Sequence, residues 1–573
     1  MTQPDTNSAR VNALADRFWE AILELNPTLA TQYGDERYAD RLEDPSPKGR
    51  AKVRRLMEKT LAEAQAIAVD DLSVEDRITR DMLVVVAELN IEEDDQKLHQ
   101  LRVVDQMGGP QTLLPQLVQF QPADTPERLA KFVARLETYP AYMAANADIL
   151  REGLESGLTA PRIVAERTIA QIERLLSVPL EEAIIPSLAK VSSDADREKL
   201  RDAVRDHVYP ADRMFLDALR GEYLAATRVD PGVWSAPNGE ALYRTAIRSW
   251  TTLDLDPQEV HQIGLDEIRE IETERRDIAR RAGFGDDTKA YRAALASDPE
   301  NLPTSRDALV ERATEDIARA AAAAPRYFGR LPKAGCEVRP VEEFKEKDAP
   351  FAYYFPPTLD GTRPGIYYVN AYDLPSRTYT KLATTTYHEA IPGHHFQIAL
   401  EMENQDLNTF RRLGSRMVGS AYVEGWGLYS EKLADEMGIY RTEGERFGML
   451  DAMAWRAARL VVDTGLHALR WSRQRSIDFL LDTGLSETDA TIETDRYICW
   501  PGQALTYKTG QREIERLRRE LERRDGSRFD LRAFHDAVLG HGSLPLATLS
   551  RELPNWLATP RADGVGALRL RPR

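Results

Sequence analysis

Cysteine is nearly absent. Cys336 and Cys499 are the only two in 573 residues and lie 163 positions apart, so the chain has neither a disulfide framework nor a C-x-x-C metal or redox motif. Long apolar runs are missing too. No stretch of 18 or more apolar residues occurs, and no membrane span is expected. Basic residues fall short of acidic ones, 76 Lys and Arg against 93 Asp and Glu, for a formal net charge of −17. Nucleic acid is therefore not an expected partner, because phosphate binding needs a basic surface. The one locally basic stretch, 511-QREIERLRRELERRD-525, alternates charge sign at helical spacing and reads as a solvated helix face. The N-terminal MTQPDTNSARVNALADRFWEAILELNP has no basic segment followed by an apolar block. No secretory signal is expected from it, and a cytoplasmic setting is. G-x-S-x-G, Walker A and E-x-x-H patterns are also missing, which speaks against serine-hydrolase, P-loop and carboxylate-bridged di-iron chemistry.

What is present is mostly helical periodicity. Apolar residues recur at 3–4 residue spacing over 10–25, 51–68, 76–92, 126–151, 163–177, 196–227, 257–283, 305–327, 445–473 and 511–525. Proline and glycine clusters such as 155-ESGLTAPR-162 and 230-DPGVWSAPNG-239 separate them. Strand signals are few. The best is 351-FAYYFPPTLDGTRPGIYYVNAYDL-374, two short aromatic and β-branched runs around a connector containing 360-DG-361, which reads as a hairpin. No Gly/Ser linker divides the chain. We expect one mainly α unit over 1–573, with sub-lobes at approximately 1–235 and 236–573 and the weakest point of continuity near 228–240.

Histidine is scarce, and its distribution is uneven. Of nine in the chain, three fall within 387-YHEAIPGHHF-396. The stretch begins like the zinc-hydrolase signature H-E-x-x-H, in which two imidazoles one helical turn apart hold the metal and the Glu acts as base. The second histidine does not arrive on schedule: position 392 is Pro, and His394 and His395 follow. On a straight helix His388 and His394 would be ~9 Å apart along the axis and ~120° apart around it, and His388 and His395 ~10.5 Å apart. Neither pair could share an ion. Pro392 clashes with the carbonyl of residue i−4, which is His388, and Gly393 tolerates unusual dihedrals. A bulge there can swing the later histidine back. The shortest such bulge selects His394 as second ligand; His395 is the alternative, and the unused histidine would support substrate or transition state.

Further along, 420-SAYVEGWGLYSEKLAD-435 reads as a helix with Glu424 and Glu431 seven apart on one face, among Tyr422, Trp426 and Tyr429. Glu424 is the candidate third ligand, and Glu431 the carboxylate that orients a ligand imidazole. The stretch 495-DRYICWPGQALTYKTG-510 gathers Arg496, Tyr497, Gln503, Tyr507 and Lys508. A phenol there, Tyr507 or Tyr497, could donate to an oxyanion, and Arg496 or Lys508 could grip a substrate carboxylate.

These stretches, with 236-APNGEALYRTAIRSWTT-252 and 363-RPGIYYVN-370, resemble in order and content a large, mostly bacterial family catalogued as a domain of unknown function. Its members are thought to be helical zinc metallopeptidases. More distantly the chain is similar to gluzincin peptidases of the thimet oligopeptidase, angiotensin-converting enzyme and carboxypeptidase Taq type, from which it departs by two residues inserted within H-E-x-x-H. The resemblance implies a large two-lobed helical fold around a deep cleft, with a small edge sheet beside the site. It implies one zinc ion and short peptides as substrate. It also gives 363-RPGIYYVN-370 a role, with Tyr367 and Tyr368 on an edge strand that pairs with substrate backbone. The expected machinery is then His388, His394 and Glu424 on zinc, Glu389 as general base, and His395 and Tyr507 as oxyanion support. Arg496, Tyr497, Gln503 and Lys508 would contact substrate. A non-catalytic helical protein with a structural or degenerate metal site is the alternative.

Overall fold

The structure, a computed structural model, describes residues 6–342, 346, 350–358, 361 and 363–558. Asp360 of the expected hairpin turn lies outside the described residues. Helices dominate, and their starts follow the capping chemistry of the sequence. Thr6, Ser46, Ser73 and Thr125 each accept a hydrogen bond from a first-turn backbone N–H of the helices Asn7–Leu25, Pro47–Gln65, Val74–Asp95 and Pro126–Ser156. Gly157, with φ 75°, ends the last of these in the left-handed region that a glycine enters without penalty. The helix Asn7–Leu25 shows why periodicity was informative: Val11, Leu14, Ala15, Phe18, Trp19, Ile22 and Leu23 form its buried face, each large side chain contributing roughly 1.5–3 kcal/mol by burial.

The single helix expected over 196–227 is instead a series. Helices Asp194–Ala203 and Tyr209–Ala218 are joined by a wider π-turn, Val204–Val208, and a second such turn, Leu219–Tyr223, follows. Pro210 cannot donate to the turn before it, and Gly221 leaves helical dihedrals at ψ −132°; both are sites where a helical ladder yields.

The chain forms two compact units, each assembled from separated stretches. The first comprises Met1–Arg280, Asn408–Gly419 and Leu450–Thr506; the second comprises Arg281–Leu407, Ser420–Met449 and Tyr507–Arg573. The boundary expected at 235/236 is not followed. The helix Gly239–Thr251 buries Leu242, Tyr243 and Ile247 with Leu98, Leu158, Val233, Leu460 and Leu505, so the Pro- and Gly-rich turn before it lies inside the first unit's core.

The second unit contains a three-stranded sheet in the order β1–β3–β2, where β1 is Cys336–Pro340, β2 Ala352–Phe355 and β3 Gly365–Val369. The expected hairpin is present as β2 antiparallel to β3, with Tyr354 opposite Tyr367. The edge-strand role of β3 is corrected: β1 pairs with it in parallel, Val338 opposite Tyr367, so β3 is central and both its edges are occupied. Tyr367 is fully buried, with its hydroxyl accepting from Thr386, and Tyr368 stacks on Tyr353 at 5.0 Å. β3 therefore offers no free edge to a substrate backbone. Four helices of this unit carry the site: α1 (Tyr379–Glu389), α2 (His394–Glu403), α3 (Ala421–Glu436) and α4 (Thr506–Asp525).

Candidate metal centre

Helix α1 starts at Thr378, whose hydroxyl accepts from the Lys381 N–H, and runs to Glu389. There it breaks. Ala390 turns out of the helix (φ −107°, ψ −100°), the Ile391–Pro392 peptide is cis, and Gly393 (φ −80°, ψ −132°) leads into α2. Gly393 is required by close approach: a Cβ there would fall on the carbonyl oxygen of His388. The indole N–H of Trp426, on α3, donates to the Pro392 carbonyl at 2.9 Å and fixes the bulge from the other side. The result is that the rings of His388 and His394, far apart on a continuous helix, stand 4.6 Å apart at 82°.

Glu424, in the first turn of α3, completes a trio. Its Oε2 lies 3.5 Å from His388 Nε2 and 3.5 Å from His394 Nε2, and one ligand atom from each of the three residues falls within 4.8 Å of the others. Those separations are long for charge-assisted hydrogen bonds. They are close to the ~3.3–3.4 Å edge of a tetrahedron whose corners sit about 2.0–2.1 Å from a zinc ion. Two imidazoles and a carboxylate are also a donor set that zinc hydrolases use, leaving a fourth position open. The space between the rings is kept by Gly427, one turn beyond Glu424. A Cβ there would lie 2.7 Å from His388 Cε1, 2.8 Å from its Nε2 and 2.9 Å from His394 Cε1. The residues present fit a metal ion.

His388 is held from behind. His388 Nδ1 is 2.7 Å from Glu431 Oε1, and the other carboxylate oxygen accepts from Thr384 at 2.8 Å. Glu431 is fully buried, two helical turns after Glu424, as expected. A carboxylate on Nδ1 fixes the tautomer that leaves Nε2 for a metal. Burial alone would push the His388 pKa down, but Glu424 and Glu431 outweigh it and raise it to about 10 without a metal. Glu424 is held well below the usual carboxylate range: burial opposes this, and His388 and His394 overcome it.

Glu389 is the last residue of α1, half-buried. Its charge is felt by His388, by Tyr354 and Tyr367 of the sheet, and by Cys336, whose thiol is pushed up to about 12 by burial with Glu389 adding to it. Helices α3 and α4 touch through backbone, because a Cβ on Gly425 would strike Gly510 and a Cβ on Gly510 would strike the Ala421 carbonyl. This contact places Tyr507, one turn before Gly510, beside His388 with ring centroids 6.4 Å apart. Lys508 is buried on the same helix.

His395 is not part of the trio. Its Nε2 meets the Ala334 carbonyl at 3.1 Å and its Nδ1 the Tyr354 hydroxyl at 3.0 Å. A carbonyl only accepts, so Nε2 carries the proton and Nδ1 accepts from the phenol. Burial pushes its pKa down to about 4. The alternative ligand assignment and the expected oxyanion support are both corrected, since no ring N–H is left to offer. Arg496, Tyr497 and Gln503 are likewise taken, and they belong to the first unit. Arg496 donates to Gln503 at 3.0 Å, while the buried Tyr497 hydroxyl accepts from Arg459 at 3.0 Å and Trp455 at 3.2 Å. These hydrogen bonds hold the three side chains within the first unit. Gly427, Trp426 and Gly425 were missed as site-forming residues. The signal was two glycines three and one residues after helix position 424, where propensity disfavours them.

Two solved structures share this architecture. A candidate lipoprotein from Colwellia psychrerythraea matches with a TM-score of 0.89 and 29% identity over 96% of this chain and 99% of that chain. A candidate lipoprotein of unknown function from Shewanella oneidensis matches with a TM-score of 0.75 and 19% identity over 94% and 99%, a likeness of fold. No curated protein matches. Residues 27–553, nearly the whole chain, match the family described as bacterial protein of unknown function (DUF885), and the chain belongs to that family.

Proposed function

We propose that the chain is a zinc-dependent peptidase acting on short peptides, with zinc held by His388, His394 and Glu424. The reading rests on one observation: three donors from α1, α2 and α3 converge at metal-binding separations, and a carboxylate, Glu389, directly follows the first of them. Zinc bound there would supply Lewis acidity to a water and a peptide carbonyl. Glu389 would accept the proton of the attacking water and return it to the leaving amine nitrogen. Tyr507, beside His388, would donate its phenol proton in a hydrogen bond to the developing oxyanion. Glu431 would hold His388 in the tautomer that presents Nε2. Short peptides as the substrate class follow from the resemblance to gluzincin peptidases. A purely structural metal site would have no use for Glu389, and this favours catalysis over the structural alternative.

The cytoplasmic setting expected from the N-terminus competes with the description of both structural neighbours as candidate lipoproteins; fractionation of cells expressing the protein separates the two. The peptidase reading is tested on a mixed peptide library by mass spectrometry, with wild type and Glu389→Gln at equal zinc content. Cleavage by wild type, reduced roughly 10²-fold or more in the variant, supports it. Zinc-loaded wild type that cleaves nothing in the library moves the assignment to the structural site.

A further inference from the structure

The two imidazoles of the trio are supported unequally. His388 has the Glu431 carboxylate 2.7 Å behind its Nδ1. His394 is buried as well, yet its Nδ1 has no hydrogen-bond partner among the described residues. A second buried group on the same helix shares that condition. Gln397 is 2% exposed, and neither its amide oxygen nor its amide nitrogen makes a hydrogen bond among the described residues. Most buried side-chain polar groups in folded proteins find a partner, so an orphaned ring nitrogen and an orphaned amide one turn apart call for a cause.

Helix α2 brings the two together. Residues three apart share a helix face, and a long helical side chain leans back over the turn before it. The lean of Gln397 is therefore towards His394, and its backbone is fixed there by its N–H donating to the Gly393 carbonyl at 3.0 Å. His394 Nε2 faces Glu424 at 3.5 Å, which leaves Nδ1 on the side away from that carboxylate. The same face of α2 continues four residues on to Glu401, which is buried and accepts from the Ser543 hydroxyl at 2.7 Å. With a metal on Nε2 the ring proton resides on Nδ1, and a metal-bound histidine almost always gives that proton to an oxygen acceptor. A carboxamide oxygen is such an acceptor, and a neutral one. Neutrality suits this place, because the carboxylates Glu424 and Glu431 already balance a divalent ion.

We propose that Gln397 is the positioning residue of His394. When the site holds its metal, the side chain rotates so that its amide oxygen accepts the His394 Nδ1–H and its NH2 turns towards Glu401. Gln397 acts only through the ring it holds. This inference rests on the zinc reading above.

The test variant is Gln397→Met, which keeps the length of the side chain and removes both polar atoms. Three quantities are read: zinc affinity by chelator competition, the thermal melt of the metal-free protein, and the exchange-protected ring N–H signals of zinc-loaded protein carrying isotope-labelled histidine. Zinc affinity is expected to fall about 10- to 100-fold. The metal-free melt is expected to stay level or rise, because an unpaired amide gives way to an apolar group of similar shape. One ring N–H signal that zinc protects in wild type is expected to be lost in the variant. A merely structural Gln397 would lower the melt and leave those signals in place, which overturns the proposal. Unchanged zinc affinity overturns it too, with the trio still standing. Absence in zinc-loaded wild type of any ring N–H that gains protection from the metal overturns it whether or not the variant folds. Wild type that binds no zinc removes the trio itself, and this inference with it.

Discussion

Gly427→Ala should weaken metal binding without unfolding the protein. In an ordinary helix interior this exchange stabilises by about 1 kcal/mol, because glycine loses more backbone freedom on folding than alanine. Here the added methyl would sit 2.7–2.9 Å from atoms of both ligand imidazoles, inside normal carbon contact distance by more than half an ångström. Overpacking of that kind costs about 1–3 kcal/mol when neighbours must move. The two terms oppose, so the metal-free variant should fall within about 2 kcal/mol of wild type. Relief of the clash would shift one or both rings from the positions they hold beside Glu424. Misorientation of ligands typically lowers metal affinity by about 10- to 100-fold. The assay is zinc competition against a chromophoric chelator, paired with thermal melts of the metal-free proteins. An alanine variant that binds zinc as tightly as wild type would refute the claim that the space Gly427 leaves is where the ligands meet.

Other expectations follow from the same contacts. Glu431→Gln keeps the shape of the group behind His388 but loses the charge on its Nδ1, and zinc affinity by the same competition assay should drop roughly 10- to 100-fold. His467 is a buried neutral imidazole that accepts from the Val233 N–H at 3.1 Å and donates to the Tyr497 carbonyl at 2.9 Å, and burial pushes its pKa down to about 4. The unfolded chain, with a histidine pKa near ~6.5, binds the extra proton between those values, so this contribution is full above about pH 6.5 and lost as pH falls towards 4. The loss is on the order of 3 kcal/mol. Denaturant titrations across that window should show a shallower pH slope in His467→Gln than in wild type; equal slopes would remove His467 as the cause.

Much of the helical fold was legible because its signals are local. Caps at Thr6, Ser73 and Thr125, and the apolar stripe from Val11 to Leu23, are written within single turns. Strand β1 was not legible: Cys336–Pro340 is five residues ending in proline, and what makes it a strand is pairing with β3 some 30 positions later. That pairing turned the expected edge strand into a central one. At the site, the bulge could be read because Pro392 and Gly393 are punctuation, and the 424/431 spacing because two turns share a face. The choice between His394 and His395 needed the partners of each ring, Glu424 for one and Ala334 with Tyr354 for the other. The stretch 495–510 crosses a boundary that no local signal marks. Residues through Thr506 belong to the first unit, and those from Tyr507 to the second.

The decisive measurement is zinc stoichiometry after dialysis of wild type, His394→Ala and His395→Ala against trace zinc. About one zinc per chain in wild type and His395→Ala, with loss in His394→Ala, is the predicted result, since in the proposed site His388, His394 and Glu424 would share one ion and removing one of them would open it. No stoichiometric zinc in wild type, or zinc that stays in His394→Ala and is lost in His395→Ala, would contradict the trio of His388, His394 and Glu424.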